Sequence, residues 1–238
     1  MHIRDVIPAD FSETASMSVD AFWDDELYAY TNPLRAQYPN DFRDLFLRRH
    51  RLRYWSSGYI FHVAVTDDGD QDHISGGKVV GYAIWSRRGT SDLAKAWRKQ
   101  TLRGYLESAL LQAEVRYATL IGADRSLDPT RLAHFLSEAK EGFTKITEIW
   151  KLQNLCVHVD HQRHGIGSRM LDWGKEQAEK ERCPIGLESS ETARRVYLRS
   201  GFRKYGNMHI KGFPIDDVPT FIWEPNGMEG QWGMEEDR

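Results

Sequence analysis

Gly165 and Gly167 sit where residues 155–171 change their hydrophobic period. Leu155, Val157 and Val159 alternate as a strand does, whereas Ile166, Met170, Gly174 and Ala178 recur every four residues on one helix face. A strand running into a helix through such a loop leaves the first helical N–H groups unpaired, with the positive end of the helix macrodipole behind them. That arrangement binds anions, phosphate above all. Glycine suits it because a side chain would keep a pyrophosphate from closing on the amides. The loop lacks both the third glycine of a dinucleotide fingerprint and the Gly-Lys-Ser/Thr ending of a P-loop, so it supports neither of those nucleotide sites.

Three histidines, His158, His161 and His164, recur every third residue through this stretch, which invites a metal reading. In a strand followed by a loop, positions three apart do not share a face, so no metal site is expected. Tyr197 lies on an amphipathic helix, where core packing is the ordinary role of a tyrosine. Glu188, at the end of a short strand, is open to two readings: a carboxylate helping to cap the helix that Ser190 begins, or a general base.

These groups need a sheet and helices to hold them. Apolar residues fall at Trp150 and Leu152 and then at Leu155 and Val157, so the register slips by one near Gln153 and Asn154, as at a β-bulge. Upstream, a short strand opens the chain. Helices are expected over residues 12–23 and 41–55, and strands over 59–66 and 78–87 joined by the polar hairpin 67–77. Residues 91–148 have helical spacing, with a break at Asp128 and Pro129. Downstream come a strand at 184–188, a helix capped by Ser190 and ended by Gly201, and closing strands at 203–210 and 220–223.

The spacing from Gln162 through Gly165 to Gly167 resembles the pyrophosphate signature Gln/Arg-x-x-Gly-x-Gly/Ala of the GNAT superfamily of N-acetyltransferases. A second element, Ser190, Ala193, Tyr197, Gly201 and Phe202, resembles that family's Asn-x-x-Ala-x-x-x-Tyr-x-x-x-Gly-Phe, with serine in place of the asparagine. The resemblance implies a mixed α/β (α+β) fold, a central mixed sheet flanked by helices, here with a helical insertion at about 91–148 between the third and fourth strands. It implies acetyl-CoA as co-substrate, its pyrophosphate on the amides of Arg163 to Ser168, flanked by the Gln162, Arg163 and His164 side chains. It places Leu155, Val157, Gly165, Ile166, Gly167, Ser168 and Ser190 in the coenzyme site, with a main-chain amide near Leu155 or Val157 polarising the thioester carbonyl. Tyr197 matches the family's general acid, and Glu188 is the candidate base. Asp24, Asp25, Glu26, Asp216 and Asp217 fall in the two loops that border the family's acceptor site, an acidic wall that would suit a cationic amine.

Composition sets the outer bounds. The 238 residues are 40% hydrophobic and 28% charged, ordinary for a globular protein, and are read as a single domain over 1–223 with an acidic, loosely ordered tail at 224–238. A net charge of -3 argues against nucleic-acid binding as the main role. Without a long apolar run or a signal-like start, the expected location is cytoplasmic, away from any membrane. Cys156 and Cys183 are too few for a disulfide framework. The expected activity is acetyl transfer to a primary amine of a small molecule. The alternatives are a protein lysine or N-terminus as acceptor, or a noncatalytic acyl-CoA-binding domain.

Overall fold

In the computed structural model, the described residues are 1–70, 72–138, 143–190, 193–213 and 217–233. Among them runs a seven-stranded sheet of β1 (His2–Asp5), β2 (Tyr59–Val65), β3 (Val79–Arg88), β4 (Ile149–Val157), β5 (Ile185–Glu188), β6 (Arg203–His209) and β7 (Asp217–Trp223). The spatial order is β1-β2-β3-β4-β5-β7-β6, antiparallel throughout except for the parallel pair β4/β5.

On one face α7 (Ile166–Glu181) packs across β2 to β5, burying Ile166, Met170, Gly174 and Ala178. Trp85, Trp150, Leu152, Leu171 and Ile185 complete that core. Each large side chain so buried contributes about 1.5–3 kcal/mol. Helix–sheet contact is close because residue 174 is glycine: a Cβ there would meet the Trp85 ring at 2.2–2.6 Å. The opposite face is covered by α1 (Phe11–Phe22) and α3 (Pro39–Trp55), with α2 (Glu26–Thr31) between them in sequence. Between β3 and β4 run α4 (Asp92–Trp97), α5 (Leu102–Leu120) and α6 (Pro129–Glu138). A last short helix, α8 (Arg194–Arg199), joins β5 to β6.

Three details differ from the sequence reading. β4 ends at Val157, and Val159 opens a 3-10 turn with 69% of its surface exposed, because the His158 ring accepts from the Asp160 amide and turns the chain. α8 starts at Arg194 with Ala193 as its N-cap residue, so Ser190 does not cap it. The tail is tied down over its described part. Glu224 takes Nε and Nη2 of the Arg203 guanidinium at 2.8 Å each and accepts from the Gly230 and Trp232 amides, while Trp232 packs against the cluster that holds Tyr205 and Ile222. Residues 234–238 lie outside the described part.

Candidate active site

β4 and β5 pair at only two positions, Trp150 with Ile185 and Lys151 with Gly186, and then separate. Against β3 the register of β4 shifts between Leu152 and Asn154, leaving Gln153 as the extra residue of a bulge, as the hydrophobic pattern required. The His158 amide donates to Val80 O on β3 at 2.9 Å. Backbone groups alternate edges along a strand, so the amides of Val157 and Leu155 point the other way, into the gap left by β5. The Gln162 side chain agrees, since its Nε2 donates to Val157 O at 3.1 Å from that side.

Beyond the 3-10 turn the chain passes through two left-handed residues, Arg163 at φ 66° and Gly165 at φ 76°, and enters α7. Glycine at 165 meets the second demand without a Cβ penalty, and nothing lies within 4 Å of where a Cβ would stand. The Arg169 amide donates back to Gly165 O at 3.0 Å, so the amides of Ile166, Gly167 and Ser168 come before the first donor of the helical ladder.

A cavity of about 680 Å³ opens over this turn. Its wall brings together Leu155, Val157, Gln162, Arg163, Gly165, Ile166, Gly167, Ser168 and, from α8, Tyr197. Tyr197 is 7% exposed and packs edge-on against Phe202 at 5.8 Å. Burial pushes its phenol above the ordinary pKa, so the proton is retained at neutral and mildly alkaline pH. Among the described residues its hydroxyl has no hydrogen-bond partner.

His161, Ala193, Val196 and Arg199 also line the cavity. Of these, the sequence marks Ala193, in the second family element, and His161, as a doubtful metal ligand. A signal existed for Ala193 and Arg199, which lie within two helical turns of Tyr197. His161 is buried, and among the described residues its Nε2 has no hydrogen-bond partner, the Asp72 carboxylate standing 3.8 Å away; burial, then the nearby Lys78 and His158, lowers its pKa.

Other expected groups lie elsewhere. Ser190 and the exposed His164 are not on the cavity wall. Glu188 is also off that wall, and accepts from Lys151 Nζ at 2.6 Å. That ammonium is buried and stands 5.3 Å over the Phe143 ring. Asp25 caps α2 by accepting from the Leu27 amide at 3.0 Å; burial, then the neighbouring Glu26, raises its pKa. Asp217 is paired with His209 and accepts from Asn207, and Asp216 lies outside the described residues. Among the described residues no group of three or more His, Cys, Asp or Glu is placed to hold a metal ion, and no helix is long and apolar enough to cross a membrane.

Residues 128–204 match the family model described as an acetyltransferase (GNAT) domain. An acetyltransferase of Stachybotrys chartarum is 29% identical over 207 residues, which cover 84% of this chain and 80% of that protein. Among solved structures, the histone acetyltransferase HPA2 and related acetyltransferase of Corynebacterium glutamicum superposes with a TM-score of 0.56 at 20% identity, covering 94% of this chain and 95% of that one. Arabidopsis thaliana NAA60, in complex with a bisubstrate analogue, gives 0.52 at 14% identity over 95% and 98%. At these identities the structural likeness is one of fold.

Proposed function

Since this chain belongs to the GNAT acetyltransferase family, we propose that it is an acetyl-CoA-dependent N-acetyltransferase that acetylates a primary amine of a small molecule by direct attack in a ternary complex. The observation that carries the reading is the single cavity shared by the glycine turn and Tyr197. The pyrophosphate of acetyl-CoA is assigned to the amides at the start of α7, with Arg163 and Arg199 as counter-charges and the His161 ring as a further polar contact. The pantetheine arm then runs along Leu155 and Val157, and the Val157 or Leu155 amide in the gap polarises the thioester carbonyl.

A neutral amine attacks the carbonyl carbon, the carbon–sulfur bond breaks, and the departing thiolate takes the Tyr197 proton. A protonated phenol in the wall of the cavity, with no hydrogen-bond partner among the described residues, is suited to that donation. The amine must also lose a proton. Glu188, the sequence candidate for that step, already accepts from Lys151 and would have to give up this ion pair to act as a base. We assign the pair instead to fixing the end of β5 against β4, and water to taking the amine proton and returning one to the Tyr197 phenolate.

The test is release of free thiol from acetyl-CoA across a panel of small amines and lysine or N-terminal peptides. Turnover on a small amine is expected. Binding of acetyl-CoA with no turnover on any acceptor would mark a noncatalytic binding domain, and turnover confined to peptides would replace the acceptor class.

A further inference from the structure

α5 turns one face to α3, burying Gly104, Ser108 and Leu111, and there Arg51 pairs with Glu114 at 3.1 Å. Its other face is apolar and, among the described residues, uncovered. Leu102, Leu106, Leu110, Tyr117, Leu120 and, just past the helix, Ile121 are each between 52% and 84% exposed. These positions follow a three-and-four spacing, so they form one stripe along the outer side of the helix. With Tyr105 they expose on the order of 800 Å², about what each partner contributes to a stable protein interface and more than a monomer ordinarily leaves in water.

Most of the stripe is symmetric about its own middle, the exception being Leu120, whose mirror position is Arg103. Taken about the point between Leu111 and Gln112, Leu102 mirrors Ile121, Leu106 mirrors Tyr117, and Leu110 mirrors Ala113. A surface that mirrors itself end to end along a helix is complementary to an antiparallel copy of itself, the condition for an isologous two-fold interface. In that pairing Arg116 falls within one turn of Tyr105 of the second copy, on the same flank, and the symmetry makes this cation–aromatic contact twice. The charged flanks balance: Arg103 lies 3.8 Å from Glu107, and Glu114 is matched by Arg51. This is not the basic polar face with which a surface helix holds an anionic membrane.

We propose that the uncovered face of α5 is a homodimer interface, in which two copies of the chain pair through antiparallel α5 helices. The helix pair is centred between Leu111 and Gln112.

Sedimentation or light scattering of the full chain should give twice the 27.6 kDa of one chain at concentrations of about 10 µM and above. Leu106→Glu with Leu110→Glu should give the single-chain mass. Both side chains are more than half exposed, so the melting curve should show a folded protein. Register is tested with a short bismaleimide, from which the buried Cys156 and Cys183 are shielded. In an antiparallel pair the two copies of Ala113→Cys are about 4–5 Å apart along the axis and those of Leu120→Cys about 25 Å, from the helical rise of 1.5 Å per residue. Only Ala113→Cys should cross-link. A parent protein that stays monomeric, whether free or afloat with anionic vesicles, overturns the proposal. So does a dimer that survives the double substitution, or cross-linking through Leu120→Cys.

Discussion

The two ends of β4 are built for opposite purposes. At its N-terminal end the strand is paired on both sides, and Trp150 is walled in by Trp97 and Trp173, with ring centroids 5.1 and 5.6 Å away. Trp85 lies buried beside them, 5.9 Å from Trp173. At its C-terminal end one neighbour has left, and the exposed amides and glycine turn face a cavity. Behind this open end, on the other face of the sheet, lies a buried polar network instead of indoles. The Ser18 hydroxyl bonds to the Tyr82 hydroxyl at 2.7 Å, and His50 bonds to Thr14 at 3.1 Å and Ser18 at 3.4 Å. One strand thus holds a rigid anchor and a site whose backbone groups stay available to a ligand, and the bulge at Gln153 lies between them.

If this division holds, a change at the open end should remove activity and spare stability. Gly165→Asp is the most severe case: it puts a carboxylate where the pyrophosphate is assigned, and acetyl-CoA binding by calorimetry should fall below detection. Aspartate tolerates the left-handed backbone better than most residues, and the space there is empty, so the variant should fold. Unchanged affinity would move the coenzyme elsewhere.

Tyr197→Phe should retain acetyl-CoA affinity and lower kcat by about a hundredfold to ten-thousandfold. Equal rates for variant and parent, measured where chemistry limits turnover, would return Tyr197 to core packing.

The network behind the open end should be sensitive to acid. Burial, then Arg53 and Arg49, lowers the His50 pKa to about 3 against an ordinary value of 6.5. Between those pH values the unfolded chain binds more protons than the folded one. The stability contributed by neutral His50 is therefore complete above pH 6.5 and declines as pH falls toward 3, by about 3 kcal/mol at pH 4. His50→Gln should flatten that part of the stability profile in denaturant titrations. On acidification, amide exchange should rise at Tyr82 and Cys156 before Trp85 and Trp150; the reverse order would break the comparison.

The smallest effect belongs to the closed end. Gly174→Ala gains about 0.5–1 kcal/mol in helix propensity but drives a methyl into the Trp85 ring. Overpacking of that kind costs about 1–3 kcal/mol or more. The net should be a melting point lowered by a few degrees, with acetyl-CoA affinity of the folded protein unchanged.

Much of this arrangement was legible in the residues. The bulge could be placed at Gln153 because apolar side chains change parity there, and α7 showed itself through Ile166, Met170, Gly174 and Ala178. What escaped depended on partners distant in sequence or on local turn chemistry. Glu188 stays open in the sequence between a cap and a base because nothing within its own strand reveals that Lys151, 37 residues earlier, lies beside it across a parallel pair. Val159 continued the strand alternation, yet the His158 ring turned the chain before it. Asp25 reads in the sequence as part of an acidic wall, with nothing there to show that its carboxylate also caps α2. The apolar spacing of α5 suggested a helix without showing which face would remain uncovered.

The bulge also fixes what kind of change this strand can absorb. Before it, Trp150 and Leu152 look toward α7; after it, Leu155 and Val157 do, while Cys156 joins the opposite core. Gln153 thus works as a phase marker between two side-chain alternations. Flattening the bulge at constant length would turn Leu155 and Val157 toward α1 and bring Cys156 to the coenzyme side, whereas deleting one residue between Leu152 and Leu155 would keep both on the α7 face and remove only the bend. What the extra residue supplies is the bend, and the glycine turn takes its direction from it.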